Sequence, residues 1–214
     1  MRLHALLCLA LLAAGLGLAA PTPYCALRYT HVVGQTDWYT CGAAAVATLL
    51  TYYYADPATE REVLEIAFKE TQAAGKDPLK GLTALALKRA LEQRGYAVKA
   101  YRVNLEQLVA YFEAGGLPLI AHVTQPQRHF LVIAGLLRDP RTRRPHLLLA
   151  DPSWGRRVLE VEDLLHDKGF SGVVLLAIPK NSAQLEQVQA LQVQELAWAQ
   201  QSLNRLRALR GWMP

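Results

Sequence analysis

The stretch Gln35-Thr36-Asp37-Trp38-Tyr39-Thr40-Cys41-Gly42-Ala43-Ala44-Ala45-Val46-Ala47-Thr48-Leu49-Leu50 decides how the rest of this 214-residue chain is read. From Gly42 onward, small and apolar residues run unbroken to Tyr52-Tyr53-Tyr54, and Asp56-Pro57 closes the run. A segment of this length that is apolar on every side is a helix buried in a core. Cys41 then stands at its first turn, where backbone N–H groups lack partners and the positive end of the helix dipole favours an anion. A cysteine so placed is a candidate thiolate nucleophile. Gly42 is expected to leave room for a substrate backbone near the sulfur. Gln35, six residues upstream, carries an amide able to donate to the oxyanion formed when a thiolate attacks a carbonyl. The Cys41 N–H is the expected second donor.

A thiolate nucleophile needs an imidazole, and the imidazole needs an acceptor that orients it. Arg128-His129-Phe130-Leu131-Val132-Ile133-Ala134-Gly135 reads as a buried strand entered through Thr124-Gln125-Pro126-Gln127. His146-Leu147-Leu148-Leu149-Ala150 is a second apolar run, reached through the charged segment 138–145 and stopped by Asp151-Pro152-Ser153-Trp154-Gly155. If the two runs pair antiparallel, the start of the first and the end of the second meet at one end of a hairpin. His129 and Asp151 occupy those places, and Asp139 lies at the opposite end. His122, in the strand-like setting Ala121-His122-Val123, is the competing imidazole. His31, His146 and His166 read as surface or edge residues. Tyr39 and Trp154 either line a cleft or serve packing.

Composition excludes several function classes. With 52% apolar and 19% charged residues, the chain is globular and not disordered. A net charge of +5 scattered along the sequence does not point to nucleic acid. Three cysteines without a C-x-x-C spacing neither frame a disulfide scaffold nor suggest zinc. No phosphate-binding glycine motif is present. The sequence therefore implies no cofactor and no metal.

Arg2 followed by the apolar run from Ala5 to Ala20 and by Pro21-Thr22-Pro23 reads as a secretory signal over residues 1–20, cut after Ala19 or Ala20. The run is shorter than the roughly 20 apolar residues of a comfortable membrane span, and an uncleaved anchor is the alternative. Cleavage predicts an exported protein, periplasmic or secreted, that is not an integral membrane protein. In an oxidising compartment Cys25 and Cys41 either form a disulfide or leave Cys41 as a functional thiol.

Between these landmarks, Thr59-Glu60-Arg61-Glu62 carries a capping box and starts a helix. Segment 78–95 holds another, with Leu82, Leu85, Ala86 and Leu91 on one stripe and Gly95 as its cap. Leu105 to Ala114 is a short helix. Strands are expected over 97–103, 117–123, 158–161 and 172–178, which makes an α+β domain of N-terminal helices on a small antiparallel sheet. Ser182 to Arg210 is Gln-rich, without Gly or Pro, and has Leu185, Val188, Leu196, Ala199, Leu203 and Leu206 at helical spacing with Ser182 as N-cap. This long C-terminal helix either packs back on the domain or offers a face to a partner or a second copy.

Gln35, Asp37-Trp38-Tyr39-Thr40-Cys41-Gly42-Ala43-Ala44-Ala45, His129-Phe130-Leu131-Val132 and Ala150-Asp151-Pro152 together resemble the C39 peptidases. These are papain-like cysteine proteases best known for removing double-glycine leaders from bacteriocin precursors. The likeness runs from about Val32 to Pro179 and includes Lys80-Gly81-Leu82 and Arg94-Gly95-Tyr96. It implies a papain-like fold in a peptidase domain over residues 21–180, followed by a helical extension over 181–214. It also implies Cys41 as nucleophile, His129 as general base and acid, Asp151 as orienting acceptor, Gln35 as oxyanion donor, and a peptide or protein substrate. Well-known members are fused to an ABC transporter, whereas this chain has an export signal and no ATPase motif. It is more similar to free-standing exported C39-like proteins, some of which accompany secretion of functional amyloid. The other readings are a non-catalytic peptide-binding or secretion-accessory module and a thiol acyltransferase.

Overall fold

The computed structural model describes residues 23–210, so the predicted signal over 1–20 lies outside the described residues. The first element is a single helical turn, α1 (Tyr24–Arg28). The Ala-rich run forms α2 (Cys41–Thr48), and every one of its residues is buried. It continues as a π-helical turn over Leu49–Tyr53, where a uniform helix to Tyr54 was expected. The widening coincides with the change from Ala to Leu and Tyr: Leu49, Leu50, Tyr53 and Tyr54 are all buried, and the Tyr54 hydroxyl donates to the Ala177 carbonyl at 2.5 Å. Single-turn π-segments of this kind occur mostly as bulges inside α-helices.

Two further helices cover α2. α3 (Glu60–Ala73) starts at the predicted capping box, with Thr59 accepting from the Glu62 N–H and Glu62 answering to the Thr59 N–H. α4 (Ala84–Gln93) is capped by Thr83 and buries Ala86, Leu87, Ala90 and Leu91. Leu85, expected on the buried stripe, is 54% exposed, because the inward face of the helix runs through Leu87 and Ala90 instead.

The sheet has six strands: β1 (Ala97–Arg102), β2 (Leu119–Val123), β3 (His129–Arg138), β4 (Pro145–Asp151), β5 (Gly155–Glu160) and β6 (Phe170–Ile178). Their spatial order is β1-β6-β2-β3-β4-β5, with every neighbouring pair antiparallel. α5 (Leu105–Glu113) lies between β1 and β2 in sequence. Val161, expected to end a strand, instead opens a short helix, α6 (Val161–His166). Two apolar clusters result. One joins α2, α3 and α4 to Phe130, Val132, Ala134, Leu148 and Ala150 of the sheet. The other joins Leu108 and Phe112 of α5 and Leu164 of α6 to Leu131, Ile133, Leu147 and Leu149. The alternation of neighbouring strand residues between the clusters is the period of two of a β-strand.

The long helix α7 (Ser182–Arg210) packs back on the domain. Its N-cap is Asn181, whose side chain accepts from the Gln184 N–H at 2.9 Å, and not Ser182. Its inward stripe is Val188, Gln192, Glu195, Ala199 and Leu203, all buried, while Leu185 faces outward at 37% exposure. Gln192 donates to the carbonyls of Gly116 and Ala134 at 2.9 and 2.8 Å, Ala134 lying where the β3–β4 register shifts. Both Glu195 oxygens accept from Arg156 Nη1, at 3.0 and 2.8 Å, and Oε1 lies 2.5 Å from His31 Nδ1. Polar residues on this stripe thus tie the C-terminal helix to β3, β5 and the N-terminal segment. Among the described residues no helix is long and apolar enough to cross a membrane.

Candidate active site

The segment leading into α2 is pinned on all sides. The Val33 N–H donates to Thr48 Oγ1 at 2.9 Å and the Thr36 N–H to Glu60 Oε1 at 3.0 Å. The Asp37 N–H donates to Thr40 Oγ1 at 3.1 Å, and that hydroxyl in turn donates to the Asp37 carbonyl at 2.9 Å. Thr40 is therefore spent on its own turn and makes no side-chain cap to the helix it precedes. The backbone N–H groups of the first turn of α2 keep their usual lack of intrahelical partners, and Cys41 stands among them as a buried free thiol.

Gly42 does different work from that expected. A Cβ at this position would lie 2.9 Å from Leu87 Cδ1 and 3.3 Å from Phe130 Cδ2. The missing side chain lets α2 approach α4 and β3 closely; it does not open a path for substrate.

The hairpin expectation is met in space. Val132 stands opposite Ala150 in the β3–β4 register, so His129 at the start of β3 and Asp151 at the end of β4 fall at the same end. His129 Nε2 lies 2.7 Å from Asp151 Oδ1. Cys41 is close enough to contribute to the raised pKa of the ring. Because Nε2 is engaged by the carboxylate, Nδ1 is the nitrogen left for the sulfur. Asp139 lies beyond the far end of β3, where its carboxylate accepts from the N–H groups of Arg141 and Thr142 at 2.8 Å each. His122 pairs with Phe130 across β2 and β3 and binds Ser171 Oγ through Nδ1 at 2.9 Å, with no carboxylate partner among the described residues.

Asp151 is 1% exposed, and four groups satisfy it. Besides His129, Oδ1 accepts from the Ser153 and Trp154 N–H groups at 2.9 and 3.3 Å, and Oδ2 accepts from Arg157 Nη2 at 3.0 Å. Burial pushes its carboxyl up, but the His129 hydrogen bond and the charges of His129 and Arg157 outweigh burial and hold it below the usual carboxylate value. Burial likewise pushes His129 down, yet the hydrogen bond to Asp151 and its charge, with a further contribution from Cys41, raise it to about 9. The arrangement favours a protonated imidazole beside the Asp151 carboxylate through the neutral pH range. His122 moves the other way, lowered by burial and by the neighbouring Arg128 and His129 charges.

Gln35 is held beside this pair. Its backbone N–H donates to the Pro152 carbonyl at 3.1 Å, its Oε1 accepts from Ser153 Oγ at 2.7 Å, and its Nε2 donates to the Asp37 carbonyl at 2.9 Å. The amide nitrogen carries two hydrogens, so one remains for another acceptor. Ser153 therefore links the turn that carries Asp151 to the segment that carries Gln35. Sequence reading missed Ser153 and Arg157, although their place two and six residues after Asp151 was the available signal. It also missed the clamp from the N-terminal segment. Arg28 donates to the Trp154 carbonyl through Nε and Nη2 at 2.9 and 2.6 Å, and the Tyr29 hydroxyl donates to the Ser153 carbonyl at 2.7 Å.

A cleft of about 680 Å³ opens at Cys41. Phe130, Leu82, Val173 and Trp38 supply apolar lining, and the segments 76–84 and 127–128 form much of its wall. Trp154, one of the two aromatic candidates for the cleft, is 54% exposed and lies outside this lining. Among the described residues no group of His, Cys, Asp and Glu is arranged to hold a metal ion.

Comparison with known proteins agrees with this architecture. The chain is 28% identical over 156 residues to the probable functional amyloid protease FapD of Pseudomonas aeruginosa, which covers 71% of this chain and 62% of that protein. Among solved structures, the peptidase domain of Streptococcus ComA, a bifunctional ABC transporter, superposes with a TM-score of 0.56 at 20% identity, covering 70% of this chain and 98% of that domain. The bromelain protease of Ananas comosus superposes with a TM-score of 0.51 at 13% identity, covering 72% of this chain and 96% of bromelain. The fold is thus α+β and papain-like. The family model described as the Peptidase C39 family matches residues 29–182, and the chain belongs to that family.

Proposed function

We propose that this protein is a cysteine endopeptidase, with Cys41 as nucleophile, His129 as general base and acid, Asp151 as the acceptor that orients the ring, and Gln35 as an oxyanion donor. The observation that carries the reading is the buried His129 imidazole, hydrogen-bonded to Asp151 at 2.7 Å and interacting with the buried free thiol of Cys41. The Cys41 thiolate attacks the scissile carbonyl, and the oxyanion forms near the Cys41 N–H and the free hydrogen of the Gln35 amide. His129 passes its proton to the leaving amine as the C–N bond breaks, which leaves a thioester. It then takes a proton from water, whose hydroxide releases the acid and restores the thiolate. Asp151 keeps its charge and holds the ring in one tautomer.

The relative named a functional amyloid protease supports a peptide or protein substrate linked to secretion of a peptide or functional amyloid. The family match ending at residue 182 supports a peptidase domain over 21–180 with a helical extension over 181–214. The apolar run before Pro21 supports a signal over 1–20 and a periplasmic or secreted location. The free thiol of Cys41 favours catalysis over a disulfide-blocked binding module.

The test is labelling of the purified protein with a peptidyl acyloxymethyl ketone, followed by mass mapping. The adduct is expected on Cys41, absent in Cys41→Ala, and accompanied by peptide hydrolysis that Cys41→Ala lacks. Equal hydrolysis by both proteins, or an adduct confined to Cys25, overturns the proposal.

A further inference from the structure

The cleft at Cys41 has an apolar floor and a cationic rim. Lys76 and Lys80 stand between α3 and α4, Arg128 stands just before β3, and all three are exposed and line the cleft. Among the described residues none of the three forms an ion pair. Elsewhere, Arg94, Arg138, Arg144, Arg156 and Arg157 are each matched with a carboxylate. The lining contains a single carboxylate, Asp77, and its Oδ1 is committed to the Leu79 N–H at 3.0 Å. Arg128 lies near enough to His122, which also lines the cleft, that its charge, after burial, is one of the causes that lower that ring. Unpaired like charges around a concave surface with apolar walls concentrate the opposite charge in a ligand.

We propose that this cleft selects peptide segments carrying Asp or Glu side chains on one side of the scissile bond, with Lys76, Lys80 and Arg128 as specificity-determining residues. The inference rests on the peptidase reading for the position of the scissile bond, while the charge preference rests on the cleft alone. A peptide suits the site because the cations share one groove with Phe130, Leu82 and Cys41, so acidic and apolar side chains of one extended strand can be held together. Exposed charge pairs are individually modest, roughly 1.4-fold to fivefold each. The preference should weaken as salt shortens the screening length from roughly 10 Å at 0.1 M to roughly 3 Å at 1 M.

The experiment uses a defined pool of tryptic and chymotryptic peptides and two readouts. The full chain is incubated with the pool and new termini are identified by mass spectrometry. Separately, immobilised Cys41→Ala protein captures peptides from the same pool at low and high salt. The expected result is Asp and Glu enrichment on one side of the cleavage sites, with acidic peptides captured preferentially at low salt. The variant Lys76→Glu/Lys80→Glu/Arg128→Glu should shift both readouts toward Lys- and Arg-containing peptides, a gain that a misfolded protein does not produce. Cleavage and capture by the wild-type cleft without acidic preference, or no capture at all, overturns the proposal. Salt-sensitive acidic capture without cleavage supports the charge preference while the peptidase reading fails.

Discussion

Replacing Asp151 by Asn removes one charge from the buried His129–Asp151 pair and leaves its shape nearly intact. The carboxylate accepts from His129 at 2.7 Å, from two backbone N–H groups and from Arg157 at 3.0 Å. An Asn can keep its carbonyl on the His129 side, but its amide then meets Arg157 donor to donor. The His129 imidazolium loses the neighbouring negative charge that, with Cys41, lifts it from 6.5 to about 9 against the opposing effect of burial. A close opposite charge moves such a group by roughly 1–3 units, so the half-point of His129 should fall from about 9 to between about 6 and 8. Titration of the His129 ring protons by NMR, in wild type and Asp151→Asn, reads this directly and needs no substrate. Repeating it after S-methylthiolation of Cys41 separates the sulfur's contribution from that of the carboxylate. The basic limb of kcat/KM should move with the ring. An unchanged half-point in Asp151→Asn, with the fold intact by circular dichroism, would falsify the electrostatic account.

The same pair predicts a pH window for stability. His129 is raised on folding, so its contribution is complete below pH 6.5 and is lost as pH rises through about 9, a difference of about 3 kcal/mol. Asp151 is lowered, so its contribution is complete above 3.8 and is lost as pH falls through its depressed folded value. Urea midpoints should therefore be highest between these two unfolded values, and a His129→Gln/Asp151→Asn protein should lose the curvature; retention of the same profile argues against the pair. At Gly155, φ is +76° and an added Cβ would stand 2.3 Å from the Arg28 carbonyl oxygen. Gly155→Ala should cost about 2–5 kcal/mol and lower Tm by roughly 5–15 °C, and an unchanged Tm would show that the N-terminal segment does not clamp the Asp151 turn. Glu195→Ala leaves Arg156, whose side chain is 7% exposed, without its anion and should cost roughly 3–5 kcal/mol in denaturant unfolding. Arg156→Met with Glu195→Leu should recover most of that loss, and equal damage in both proteins would contradict the desolvation argument.

Chain-local features were legible because local chemistry produces them. An unbroken apolar run makes a buried helix wherever it lies, and a Thr-x-x-Glu pattern caps its own backbone at Thr59. The His129–Asp151 pair was legible for a topological reason. One antiparallel hairpin of two apolar strands brings its first and last residues together regardless of what packs around it.

What escaped the reading was set by partners distant in sequence. Gly42 looked like an opening toward substrate until Leu87 and Phe130 were found against it. Leu85 looked buried until the rotation of α4 against α2 and α3 exposed it. The Arg28 and Tyr29 clamp on the Asp151 turn joins residues more than 120 positions apart, and Arg156 meets Glu195 across 39. From residue order alone, then, come a cysteine at a helix start and a histidine and acid at a hairpin mouth. Periodicity and strand pairing are short-range constraints, and they suffice for that. Which cations stay unpaired at the cleft, and which groups brace the acid, were decided only by tertiary packing, because a charge finds its partner in space and not along the chain.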